Sequence, residues 1–108
     1  MDRVAFFRRE VERFLAAARA AAAAGGAPVV PSCPGWSVAD LVVHLGSVHR
    51  GVTAIVRDRL TVPPDPGDRS IAALPADLTG WPRPEEAPNL GPIPDGLLGW
   101  FAEGAAAL

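Results

Sequence analysis

Residues Pro31–Arg50, PSCPGWSVADLVVHLGSVHR, decide the fold, because they join a turn to a helix whose start is signalled several times over. Pro34 presets φ for the second position of a tight turn, and Gly35 can take the positive φ that the third position of a type II turn requires. Ser37 is placed as an N-cap, and Asp40 three residues later makes an aspartate variant of the capping box. Trp36 outside the cap and Leu41 at the fourth helical position are spaced for a hydrophobic staple.

From Val38 the apolar residues recur at helical intervals. Leu41, Leu45, Val48, Val52 and Ile55 fall within one narrow arc at about 100° per residue, widened on one side by Val38, Val42, Val56 and Leu60. His44 borders the other side, one turn from Leu41 and from Val48. An imidazole at that edge can turn toward a cleft between helices and serve as a metal ligand, but spacing alone favours a half-buried histidine bonded to a neighbour. His49 is a poor second ligand. Five residues rotate it by roughly 140° from His44, whereas two helical histidines sharing an ion normally stand at i and i+4. It reads as an amphipathic residue at the margin of the core.

The remaining composition bounds the class. The chain has 108 residues and a formal charge of -2, which suits one domain or less and gives no electrostatic footprint for nucleic acid. Arg8, Arg9 and Arg13 cluster on the first helix, but Glu10 and Glu12 are interleaved, so a solvated face is expected. The single cysteine, Cys33, excludes an internal disulfide and suits a reducing compartment. The N-terminus carries charges throughout and lacks the apolar core of a secretion signal, and the apolar run Leu15–Ala24 is too short to span a membrane. A cytoplasmic location is expected.

Outward from the central motif, Asp2 can cap a first helix over about residues 2–24, with Val4, Phe7, Val11, Phe14, Ala18 and Ala22 as its stripe. Gly25 and Gly26 end it. The second helix spans about 38–60 and stops before Pro63 and Pro64. Residues 61–94 form a long proline-rich connection without strand periodicity, and a connection of that length tends to be functional or disordered. Within it Ile71, Leu74, Leu78 and Trp81 are spaced to lie down on the helices, Trp81 either lining a pocket or covering the end of the core. Asp95 is placed to cap a third helix over about 95–108, with Leu97, Leu98, Phe101, Ala105 and Leu108 on its apolar face. The pattern runs to Leu108 without a stop signal, and truncation is the simplest explanation.

Taken together, CPGWSVADLVVHLGSVHR and the later Leu-x-x-Trp-Phe-x-Glu-Gly resemble the N-terminal metal-binding domain of the mycothiol-dependent maleylpyruvate isomerase family, a branch of the DinB-like four-helix bundles. The likeness runs in order through essentially the whole chain. It implies an all-α, up-down bundle, here three helices of four, and a divalent ion, typically zinc, held by three ligands. His44 matches the ligand of the second helix. The family's other two are a Glu and a His four residues later on a fourth helix that this sequence does not contain. Glu103 has no such following His, and Cys33, in the turn, reads as a small buried residue.

The resemblance also implies mycothiol as cosubstrate. A metal with an open position stabilises a thiolate near neutral pH. In the implied reaction, that thiolate adds to the cis double bond of maleylpyruvate. Rotation about the new single bond and loss of the thiol then leave fumarylpyruvate. Related enzymes transfer small thiols to other electrophiles, so the substrate class is a small electrophile. The alternative expectation is a non-catalytic helical module that dimerises, or pairs with another chain, through an uncovered apolar groove.

Overall fold

A computed structural model describes residues 2–59, 61, 72–75, 77–94 and 96–108, without the side chains of residues 33, 34 and 84. The described chain is all-α apart from one short hairpin. Helix α1 spans Arg3–Ala23, strands β1 and β2 span Val29–Val30 and Cys33–Ser37, helix α2 spans Val38–Asp58, and helix α3 spans Leu97–Ala107. In the connection between α2 and α3, Pro84–Glu86 form a 3-10 turn.

Local chemistry sets the helix ends. The Asp2 carboxylate accepts from the backbone N–H groups of Val4 and Ala5, satisfying two donors that have no partner inside the helix. At α2 the capping box is complete: the Asp40 N–H donates to the Ser37 hydroxyl, and the Ser37 N–H donates to the Asp40 carboxylate. Helix α2 ends at Asp58, where Arg59 turns left-handed at φ 52°. Gly96, at φ +86°, stands before α3, a conformation that glycine adopts without penalty. The expected cap Asp95, like Ile71, Leu60, Pro63 and Pro64, lies outside the described residues.

The turn before α2 differs from the expectation. Gly35 does not take positive φ; it lies within β2, which pairs antiparallel with β1 in the register Val29 with Ser37 and Val30 with Cys33. The reversal falls at Pro31–Ser32, and the Val38 N–H donates to the Pro28 carbonyl, so the hairpin delivers the chain to the helix start. Cys33 is in β2, and its side chain is not among those described.

The buried side of α2 differs in part from its apolar arc. Its buried positions are Ala39, Asp40, Val42, Gly46, His49 and Ala54. Of the apolar arc, Val42 is fully buried and Val38 and Leu45 pack against the core, whereas Val48, Val52, Ile55 and Val56 are exposed and Leu41 is half-buried. The reason is steric: at Gly46 the absence of a side chain lets α3 approach closely, and Trp100 takes the space a Cβ would fill.

Trp100 is seated on α2 at this glycine. A Cβ built at Gly46 would overlap the Trp100 ring, so no other residue fits without displacing the indole. Arg50 lies over the same ring with its guanidinium 5.3 Å from the centroid, and it donates a 2.8 Å hydrogen bond to the Trp100 carbonyl. The Trp100 indole N–H donates to the Ala72 carbonyl, and Trp81 meets the indole edge-on at 5.8 Å. Trp81 therefore covers this end of the core, as one of its two expected roles required. Phe101, Leu97 and Val42 are fully enclosed, each worth about 1.5–3 kcal/mol by burial. Helix α1 closes the core with Leu15 and Ala18 and, partly buried, Val11 and Phe14. Most of its expected stripe packs inward, but Val4 is exposed.

Gly46→Ala is expected to lower stability by about 1–3 kcal/mol through overpacking against Trp100, in spite of the better helix propensity of alanine. Gly51→Ala, with open space around its Cβ, is expected to be neutral or to gain about 0.5–1 kcal/mol. Urea unfolding of the two variants beside the parent checks the contrast.

Candidate functional site

The two histidines of α2 are held in opposite environments. His44 is exposed, and its ring meets Trp36 edge-on with centroids 4.9 Å apart. Strand β2, which carries Trp36, and the capped start of α2 together fix this contact. His44 stands on the uncovered side of the helix, beside Leu41, Val48 and Ile55.

His49 points the other way. It is 9% exposed and wedged between Phe7 of α1 and Phe101 of α3, both with centroids at 5.3 Å. Its Nδ1 is buried with no hydrogen-bond partner among the described residues. Burial pushes its pKa below the ordinary histidine value. His49 is thus enclosed by the core itself, more deeply than the expected margin position. A ring in that position cannot meet a ligand that His44 meets.

The third polar feature is a buried carboxylate clamp. Besides its capping bonds, Asp40 accepts from the Asn89 backbone N–H at 2.9 Å and from the Asn89 side-chain amide at 2.6 Å. The Ser37 hydroxyl donates to it as well. Burial alone would raise the Asp40 pKa, but the hydrogen bonds from Ser37 and Asn89 outweigh it and hold the carboxyl below its ordinary value. Asn89 also donates to the Arg83 carbonyl, so the clamp fixes the end of the connection to the start of α2. Sequence reasoning found Asp40 as a cap and missed Asn89, which lies 49 residues away with no local pattern to mark it.

Between α2 and this connection lies a cavity of about 590 Å3, walled by Val43, Leu74, Leu78 and Trp81, with Ser47, Thr79, Arg83 and Glu85 among its polar lining. Its size is in the range that encloses small ligands. Trp81 therefore fills both of its expected roles.

The donor set does not complete a metal centre. Among the described residues, no three His, Cys, Asp or Glu side chains gather closely enough to hold an ion. His44 offers one imidazole, and the acidic group nearest in sequence, Asp40, is committed to Ser37 and Asn89. These residues alone do not fit a zinc ion, which takes three or four protein ligands.

The family model for the mycothiol maleylpyruvate isomerase N-terminal domain matches residues 7–108. The chain belongs to that family. No curated protein and no solved structure matches it. Among the described residues, no helix is long and apolar enough to cross a membrane.

The environment of His49 has a pH consequence. Because its folded pKa lies below the unfolded value of 6.5, folding requires the neutral ring. Its stabilising contribution is complete above that value and declines as pH falls through 6.5 toward the folded pKa. His49→Phe, which keeps an aromatic ring between Phe7 and Phe101, is expected to flatten the decline in stability below that pH. Thermal melts of parent and variant over the acid range check this.

Proposed function

We propose that this chain is the metal-binding portion of a mycothiol-dependent isomerase or thiol transferase, with His44 as one ligand of a divalent ion, zinc in the first instance. The observation that supports the reading is the placement of His44 on the uncovered apolar side of α2. A helix laid along that side would bury Val48, Val52 and Ile55 and bring its own side chains against the imidazole. The spacing favours such a partner. Leu41, Leu45, Val48, Val52 and Ile55 follow the alternating threes and fours of a helix-packing seam.

A Glu and a His one turn apart on the added helix would complete a three-ligand set. The ion would then stabilise the thiolate of mycothiol for addition to a small electrophile. With a single donor, the described residues do not retain an ion strongly enough for that chemistry, so the chain by itself is inactive in this reading. A cytoplasmic setting, where low-molecular-weight thiols stay reduced, agrees with it.

The exposed α2 side also favours a second reading, a helical module that dimerises or binds another chain through the same face. Calorimetric zinc titration separates the two. Addition of an amphipathic helix carrying Glu-x-x-x-His is expected to raise zinc affinity by at least tenfold, and His44→Ala is expected to abolish the gain without changing helix content. Undiminished affinity in His44→Ala removes the ligand assignment. Dimerisation with no gain in affinity supports the module.

A further inference from the structure

The uncovered side of α2 is balanced about Gly51. His44, Val48, Gly51, Ile55 and Asp58 recur every three or four residues and fall within about 80° of arc at about 100° per residue. Val48 and Ile55 flank the glycine, His44 stands two turns before it and Asp58 two turns after it, and these four side chains are exposed. Each half of the stripe thus carries an aliphatic residue near the centre and a polar one at its end.

Gly51 has no use within the chain's own packing. Unlike Gly46, it leaves open space where a Cβ would stand, so no neighbour requires a missing side chain there. A glycine inside a helix lowers stability relative to alanine. What it offers on an exposed apolar side is the close approach of another backbone.

The end groups identify that backbone. Residues 41–57 contain no Asp or Glu, so Asp58 is the carboxylate of this stripe. Fourteen residues of helix, about 21 Å, separate it from His44, too far for contact within one chain. Two antiparallel copies crossing at Gly51 cancel that separation. A two-fold axis through the glycine sets His44 of either copy beside Asp58 of the other and Val48 beside Ile55. The imidazole N–H then donates to a carboxylate that has lone pairs to spare beyond its bonds from Arg57. An unrelated helix owes nothing to this symmetry, whereas a second copy matches it by construction.

Resting on the interaction-module reading above, we propose that the uncovered side of α2 is occupied by a second copy of this chain, in an antiparallel pair that crosses at Gly51 and is held at both ends by His44–Asp58 contacts. The pair and the added helix of the metal-binding reading exclude each other, because both cover the same side.

Sedimentation velocity of the full chain over a concentration series tests this, with a chelator present so that no ion bridges two His44 rings. A reversible monomer–dimer equilibrium is expected. Gly51→Leu is expected to weaken it by about tenfold or more through the lost close approach, and His44→Glu by about fivefold or more by setting Glu against Asp58. His44→Glu combined with Asp58→Arg is expected to restore the parent affinity to within about threefold, a rescue that parallel pairing cannot give. Open space surrounds Gly51 and the other two side chains are exposed, so each variant keeps its helices, which circular dichroism checks. A monomer at every concentration overturns the proposal. So does a dimer indifferent to either single variant, or a loss that Asp58→Arg does not recover. If a monomeric chain still captures the Glu-x-x-x-His helix without zinc, the choice of occupant fails and the module reading stands; if it captures neither, both fail.

Discussion

The close approach of α3 to α2, with the Trp100 indole seated on Gly46, is the constraint from which the other features follow. It exists because glycine leaves room for a ring where any side chain would collide with it. Arg50 then holds the tryptophan twice, by its backbone carbonyl and by its ring face. With α3 fixed there, Phe101 packs on His49 and Phe14, and Phe7 meets His49 from the α1 side. Gly46, His49 and Arg50 of the motif thus supply packing, and His44 and Val48 are left facing outward.

A helix that is apolar on two sides is built to be covered on both. One side of α2 is covered by α3 and, through His49, by α1. The other carries Val48, Val52 and Ile55 into solvent around His44. The same arrangement supports the ligand assignment and the interaction-module reading, since each requires a further surface to descend on this face. The metal donors and the apolar contacts would arrive together, which couples ion binding to helix docking.

Local signals were legible in the sequence, and relative orientation was not. Asp2, Ser37 and Asp40 marked helix starts because capping is a matter of neighbours within three residues. The family likeness, carried by the CPGW turn and the His-Leu-Gly helix, was legible for the same reason. The buried side of α2 was only partly legible: Val42 belongs to it, but the contact with α3 is set by Gly46, which carries no apolar side chain to mark it. The hairpin escaped notice because β1 has two residues, too few to show alternation, and Pro34-Gly35 also spells a turn. Asn89 and the unpartnered Nδ1 of His49 depend on contacts far along the chain.

The central claim is that α2 divides its histidines, His44 to the open side and His49 to the core. Carbethoxylation of the folded chain, followed by peptide mass spectrometry, reads both in one sample. The account predicts rapid modification of His44 and protection of His49 until the chain is unfolded. Modification of the two at equal rates, or of His49 first, would contradict it.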